Sequence, residues 1–231
     1  MMQSLFSIRE KEIFATLKAL NRCNFVLIGG YAVNAYTLPR FSVDCDIVIK
    51  NASELKKIET ALGRIGYGIQ TTPHDVQYSS SFARLEKKLE NDFMVSIDVL
   101  IGTVIDRMTG VNLMADWIFT HSETRSLKGK TIARSITLRI ITLDALIAMK
   151  IISCRPTDIR DVFMMLPSAV NKKWIIAEIS SRYDFNDRLT RIVKAVRSKQ
   201  FKDGLSGVYG AIDQKTFDKH IKSVSSFQPT D

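Results

Sequence analysis

The segment of residues 25–50 constrains the fold of this chain more than any other part of the sequence. An apolar run at residues 25–28 stops at a diglycine, Gly29-Gly30, and a short apolar-periodic segment follows it. After a proline comes a second apolar run, at residues 43–49. This order of apolar runs and breakers predicts a strand, a glycine turn, a helix and a second strand.

The second apolar run carries two carboxylates, Asp44 and Asp46. Residues two apart on a strand share one face and lie about 7 Å apart along it. Such carboxylates repel each other unless a divalent cation or a basic group lies between them, and these oxygen ligands suit Mg²⁺ or Mn²⁺. If the two residues lie in a turn instead, both carboxylates are simply solvated.

A third acid, Asp98, lies inside the strongly apolar strand pattern of residues 94–101. Because burying an unpaired charge is costly, an acid in such a run indicates a specific role. The diglycine has a role of its own, since glycines let a ligand approach the backbone closely. The start of a helix also directs free N–H groups towards that turn, which favours phosphate.

Together these features resemble the DNA polymerase β-type nucleotidyltransferase superfamily. The matching elements are Gly29-Gly30, Asp44-Cys45-Asp46 and Ile97-Asp98-Val99, and the lead-in residues Arg40 and Ser42 resemble the arginine and hydroxyl residue found before the first acid. The resemblance implies transfer of a nucleoside monophosphate from an NTP to a hydroxyl group. Two groups of residues would carry it: Asp44, Asp46 and Asp98 as catalytic metal ligands, and Gly29, Gly30, Arg40, Ser42 and Lys150 as phosphate-binding groups.

Lys150 belongs to a helical pattern, residues 144–152, that is apolar nearly all round and is therefore expected to be buried. Its amine either reaches outward or pairs with an acid, or it reaches a triphosphate as a point charge. With Arg155, Asp158 and Asp161 it resembles the helical segment of the abortive-infection type toxins among these nucleotidyltransferases. The two aspartates share a helix face and can instead position Lys150 or Arg155.

The net charge of +9 is unevenly distributed. Residues 1–120 hold 13 basic and 13 acidic side chains, whereas residues 121–231 hold 20 and 11. A basic half beside an acidic site suits a polyanionic acceptor, and the resemblance also suggests RNA, such as a tRNA end. A protein hydroxyl or a small antibiotic is the alternative acceptor, and a merely soluble surface is the alternative explanation of the charge. The resemblance to toxins also suggests an antitoxin partner.

Three scattered cysteines fit neither a disulfide framework nor a zinc site, and no apolar run is long enough to span a membrane. We therefore expect a cytoplasmic protein that has no contact with membranes.

The predicted fold class is α+β, a small mixed β-sheet backed by helices and followed by a C-terminal helical region. The expected domains are residues 1–142, catalytic, and residues 143–231, helical. Within them the patterns predict a helix from the Ser7 capping box, a short strand at residues 67–71, a hairpin of residues 82–89 and 93–101, a helix at residues 111–121, a hairpin at residues 124–138, and helices at residues 174–183, 186–201 and 216–225.

Two other classes of function remain open from the sequence. One is a non-catalytic module of the same fold that binds a nucleotide, nucleic acid or partner protein. The other is a structural role, in which the three acids pair with cations. Three intact acids favour the enzyme over both.

Overall fold

A computed structural model describes residues 4–69 and 81–229 of the 231-residue chain. Contacts within the chain group it into two units. The first comprises Met1–Ala35, Pro39–Val104 and Leu113–Ile141, and the second comprises Tyr36–Leu38, Ile105–Asn112 and Thr142–Asp231. The domain boundary expected at residues 142 and 143 stays a prediction.

The first unit is built on a mixed β-sheet backed by helices, so the structure confirms the α+β class. In chain order the strands are β1 (Val26–Leu27), β2 (Cys45–Ile49), β3 (Gly68–Ile69), β4 (Phe82–Lys88), β5 (Met94–Ile101), β6 (Thr103–Ile105), β7 (Asn112–Met114), β8 (Ser122–Leu127) and β9 (Ile136–Ile141). Seven of them form one sheet in the order β3-β4-β5-β2-β1-β9-β8, and β6 pairs with β7 separately.

Two parallel pairings make this sheet mixed. β2 runs parallel to β5, and β1 runs parallel to β9, whereas the β4–β5 and β8–β9 pairs are antiparallel. β2 lies inside the sheet and is apolar apart from Asp46, as expected for a strand covered on both faces.

The helices divide between the two units. In chain order they are α1 (Leu5–Ala19), α2 (Gly29–Val33), α3 (Ala52–Gly63), α4 (Ala115–Thr120), α5 (Leu143–Ser153), α6 (Pro156–Met165), α7 (Lys172–Ser180), α8 (Phe185–Val196), α9 (Lys199–Tyr209) and α10 (Gln214–Ser225), with 3₁₀ turns at Glu90–Asp92 and Leu166–Ser168. In the first unit, α1 and α3 pack against β2 and β5 through buried side chains such as Ile13 and Ile58.

The second unit is helical. α5 contacts α6, α7 and α8, which explains why its sequence is apolar on nearly every side. Phe163 of α6 is fully buried, and its ring packs against Phe201 and Phe217. His220 hydrogen-bonds through Nδ1 to the backbone oxygen of Phe163 over 2.9 Å, so α10 is tied to α6.

Some predicted elements differ in detail. The first helix begins earlier, because Ser4 and not Ser7 is its N-cap. The helix predicted at residues 186–201 is two helices, since Ser198 accepts a hydrogen bond from the Phe201 N–H and starts α9. Only the end of residues 111–121 is helical, as α4, and the beginning pairs as β7.

The predicted hairpins are both present, as β4–β5 and as β8–β9. Of the strand predicted at residues 67–71, β3 is present, and residues 70 and 71 lie outside the described part of the chain. Within the described residues, no helix has the length and apolar character that crossing a membrane requires.

Candidate active site

The floor of the candidate site is the diglycine between β1 and α2. Gly29 has φ of +66°, a conformation that other residues rarely adopt. A Cβ on Gly29 would lie 2.0 Å from Oδ2 of Asp46, so the carboxylate sits directly against the Gly29 backbone. Both the turn and the adjacent acid therefore require glycine here.

Gly30 is restricted by its neighbours in the lead-in segment. A Cβ on Gly30 would lie 2.2 Å from Oγ of Ser42 and 3.2 Å from Nη2 of Arg40. The structure thus brings a hydroxyl and a guanidinium to the same backbone position. Their role in phosphate binding stays a prediction. These groups are well suited to phosphate oxygens, because both donate hydrogen bonds and one carries a positive charge.

Arg40 is fixed by Asn34, a residue that the sequence pattern did not single out. The side-chain amide of Asn34 donates to the Arg40 backbone oxygen over 2.9 Å, and the Arg40 N–H donates to Asn34 Oδ1 over 3.0 Å. Asn34 is buried, and it follows directly after α2. A polar residue just after an apolar helix was the available signal, but such residues are common at helix ends.

The acids come together through strand register. Asp46 of β2 lies directly opposite Asp98 of β5, because these neighbouring strands run parallel with Cys45 opposite Ile97. Asp44 precedes β2 by one residue and is half-exposed, whereas Asp98 is buried. The predicted convergence of Asp46 and Asp98 on the sheet is therefore present.

Arg84 of β4 is the main site residue that the sequence did not reveal. It lies opposite Asp98 in the β4–β5 register, and its Nε and Nη2 donate to the two Asp98 oxygens over 2.7 Å each. Nη2 also lies 3.9 Å from Oδ1 of Asp44. This two-pronged, charge-assisted pairing neutralises the buried Asp98 and holds its carboxylate in one orientation.

Asp44 and Cys45 both have a raised pKa. Burial and the charge of Asp98 raise the pKa of Asp44, while Arg84 and Arg9 oppose that rise. Burial, followed by the charges of the neighbouring aspartates, raises the pKa of the Cys45 thiol well above its usual range. Cys45 therefore stays protonated and is a poor metal ligand.

The carboxylates of Asp44 and Asp46 offer only oxygen ligands, and such ligands suit a hard divalent cation. Within residues 4–69 and 81–229, however, no three His, Cys, Asp or Glu side chains are grouped closely enough to hold a metal ion. Arg84 donates one hydrogen bond to each oxygen of Asp98, and each oxygen keeps a further lone pair that can accept another partner. Metal ligation by the three acids stays a prediction.

Lys150 lies in the second unit and is only 7% exposed. Its Nζ lies 2.8 Å from both Asp158 Oδ1 and Asp161 Oδ2. Burial alone lowers the pKa of Lys150, but the charges of Asp161 and Asp158 outweigh it and raise that pKa. Tyr209 donates to Asp161 over 2.6 Å, which completes the network.

Of the two alternatives for the aspartates, these contacts favour pairing with Lys150. The role of Lys150 in phosphate binding stays a prediction.

Comparison with known proteins agrees with this geometry. A family model described as the nucleotidyl transferase AbiEii toxin of type IV toxin–antitoxin systems matches residues 13–231. A solved structure of a protein from H. pylori, assigned as a nucleotidyltransferase, superposes with a TM-score of 0.55 at 14% identity, covering 98% of this chain and 96% of that one. At this identity the superposition shows the fold alone. No curated protein sequence matches significantly.

Proposed function

Because the chain belongs to the AbiEii family of nucleotidyltransferase toxins of type IV toxin–antitoxin systems, we propose that it transfers a nucleoside monophosphate from an NTP to a hydroxyl group of RNA. Nucleotidyl transfer itself follows from the family. The RNA acceptor, the metal and the roles of single residues are the proposed parts.

The observation that carries the proposal is the meeting of two kinds of groups at one turn. The Asp46 carboxylate lies against Gly29, and the Ser42 hydroxyl and Arg40 guanidinium lie against Gly30. Anionic ligands for a cation are thus one residue away from donors for phosphate oxygens. Nucleotidyl transfer needs both, because a triphosphate must be held while charge builds on the leaving pyrophosphate.

The phosphate-binding side consists of Arg40, Ser42 and the diglycine backbone. Absence of a Cβ at Gly30 leaves space for Ser42 to approach the main chain. Asn34 holds the Arg40 backbone at both its N–H and its oxygen, so the guanidinium starts from a fixed position. A preorganised cation stabilises developing negative charge at little reorganisation cost.

Asp44, Asp46 and Asp98 would hold Mg²⁺ or Mn²⁺ through their carboxylate oxygens. Bound there, the metal would supply positive charge that stabilises the attacking and leaving oxygens. Arg84 balances the charge of Asp98 and holds its carboxylate in one orientation. The raised pKa of Asp44 agrees with a site in which carboxylate charges lack a full counter-charge.

RNA as the acceptor is supported by charge. The excess of basic side chains lies entirely within residues 121–231. On α8, Arg191 and Lys194 are exposed, although Arg191 also pairs with Asp187 over 3.2 Å. Arg188 of the same helix is buried, with its guanidinium over the Tyr183 ring. The family's type IV toxin–antitoxin assignment supports an antitoxin partner as well.

The test compares Asp46→Asn with the wild type in reactions that contain each α-labelled NTP, Mg²⁺ and total cellular RNA and protein. We expect labelled RNA with the wild type and a loss of roughly a hundredfold or more with the variant. Asp116→Asn is the matched control, since this carboxylate is 83% exposed and pairs with Lys50 on the surface.

Three results would contradict the proposal. Full transfer by Asp46→Asn would remove the assigned role of the carboxylate. Label in protein and not in RNA would point to a protein acceptor. NTP binding without any labelled product would indicate a non-catalytic module of the same fold.

A further inference from the structure

Two phenylalanine rings stack at the surface next to the phosphate-binding residues. The Phe6 ring of α1 lies on the Phe41 ring with centroids 5.3 Å apart and planes inclined by 21°. Phe6 is 51% exposed, and Val43, two residues after Phe41, is also exposed. We call Phe6 and Phe41 the aromatic platform. Phe41 is partly exposed, and an exposed apolar surface beside a functional site is a candidate for ligand binding.

The platform adjoins the candidate active site through the chain itself. Phe41 lies between Arg40 and Ser42, which both lie against Gly30. The side chains of Arg40 and Ser42 therefore reach Gly30, whereas the side chain of Phe41 reaches Phe6. An NTP whose phosphates lie at Gly30 would occupy the space beside Arg40 and Ser42. The surface at Phe41 would then be left for the acceptor.

A cation borders the platform. Nζ of Lys130 lies 5.3 Å from the centroid of the Phe41 ring. The loop that carries Lys130 is anchored by Glu10, a buried carboxylate one turn along α1 from Phe6. Glu10 accepts hydrogen bonds from the backbone N–H groups of Lys130 and Thr131 over 2.6 and 2.7 Å, so the position of Lys130 is fixed.

A second cation, Arg9, lies on the same helix as Phe6. Arg9, one helical turn after Phe6, has its guanidinium 4.7 Å from the centroid of the Phe93 ring. Its charge acts on Asp44 of the candidate site, where it opposes the rise of the pKa of that carboxyl group. A second positive charge therefore lies on α1 one helical turn from Phe6.

We infer that the aromatic platform stacks an unpaired nucleobase of the RNA acceptor while Lys130 contacts a neighbouring phosphate. Flat exposed rings beside fixed cations match the alternation of base and phosphate along a single strand. The identity of the acceptor rests on the proposed function. The platform would then hold the acceptor strand beside the acids, with the NTP phosphates at the diglycine.

The test measures RNA binding without NTP and in the presence of EDTA, so that no transfer can occur. Fluorescence anisotropy compares a fluorescein-labelled single-stranded RNA with an abasic strand of equal length. Since stacking contributes about 1–3 kcal/mol per base, Phe6→Ala should weaken binding of the intact strand roughly five- to 150-fold. The same variant should bind the abasic strand as the wild type does.

Two further variants separate the ring from general effects. Phe6→Tyr keeps a ring and should bind nearly as the wild type does. Leu5→Ala removes an apolar side chain that is 57% exposed on the same turn, and its affinity should be unchanged. Lys130→Met should weaken both strands and reduce the slope of log affinity against log salt by about one. Circular dichroism should show that each variant is folded.

Several outcomes would overturn the inference. Equal RNA affinity of Phe6→Ala and the wild type would do so, as would absence of RNA binding by the wild type. Weaker binding of a fluorescent NTP by Phe6→Ala, with RNA binding unchanged, would assign the platform to the NTP base instead.

The inference and the proposed function can fail separately. RNA binding that depends on stacking, without any transfer, would support the role of the aromatic platform and contradict the proposed activity. Transfer to RNA that Phe6→Ala does not change would support the proposed activity and contradict the role of the aromatic platform.

Discussion

Replacing Lys150 by methionine tests the buried ion network of the helical unit. The Lys150 amine lies 2.8 Å from carboxylate oxygens of both Asp158 and Asp161. Methionine has a similar length and no charge, so the variant leaves two buried carboxylates without their cation. Tyr209 continues to donate to Asp161, which limits the loss to the missing positive charge.

The expected loss is large. Breaking a buried ion pair by removing one partner typically costs about 3–5 kcal/mol, because the remaining charge is left uncompensated. For a chain of this size, that corresponds to a fall in the thermal midpoint of roughly 6–20 °C. Lys57→Met is the control, since its pair with Glu54 is on the surface, where ion pairs contribute little to stability.

Urea unfolding followed by circular dichroism measures both variants. Because the folded-state pKa of Lys150 is raised, its stabilisation is fully present below the unfolded pKa and is lost only as pH rises through the folded value. The difference between wild type and Lys150→Met should therefore be nearly constant from about pH 6 to 9. A loss within about 1 kcal/mol of the control would refute the assignment of this network.

Two further predictions concern the candidate site. Gly30→Ala should lower transfer at least about tenfold, because its Cβ would lie 2.2 Å from Ser42 Oγ. The control is Gly63→Ala, which has open space around it and should retain activity while gaining roughly 0.4–1 kcal/mol of stability. Full activity of Gly30→Ala would contradict the close approach of Ser42 to Gly30. Asp44→Asn should abolish transfer yet raise the urea midpoint at pH 7, since burial and Asp98 raise the Asp44 pKa and make its charged form unfavourable. That gain should shrink as pH falls and Asp44 becomes protonated, and a lower midpoint at pH 7 would refute this electrostatic argument.

Strand periodicity predicts that the acids Asp46 and Asp98 lie in two buried strands, and the register of these strands then brings them together. Asp46 lies in an apolar strand and Asp98 in another, and pairing of two buried strands brings the carboxylates face to face. The sequence also predicts the diglycine turn. The structure explains why glycine is needed there, because a turn that packs against Asp46 and Ser42 has no room for a Cβ.

Arg84 marks the limit of what the sequence pattern can predict. Strand periodicity predicts the hairpin that contains Arg84, but it leaves the register of the two strands open. With β4 paired so that Lys88 lies opposite Met94, Arg84 necessarily lies opposite Asp98. A one-residue slip would have placed it on the other face, so the pairing depends on the turn at Glu90–Asp92.

The helical half was predicted in outline only. A continuous helical pattern runs through residues 186–201, and the break depends on one side chain, Ser198, that caps the next helix. Burial of Arg188 was likewise invisible, because the amphipathic pattern cannot tell which arginine stacks on Tyr183.

The most direct test of the central claim compares transfer of label from the α- and γ-phosphates of the same NTP to RNA. Nucleotidyl transfer predicts that α-label enters RNA and that γ-label leaves as pyrophosphate, with both signals lost in Asp46→Asn. Label from the γ-phosphate in the acceptor, with none from the α-phosphate, would contradict the account, because it would show phosphoryl transfer at this site.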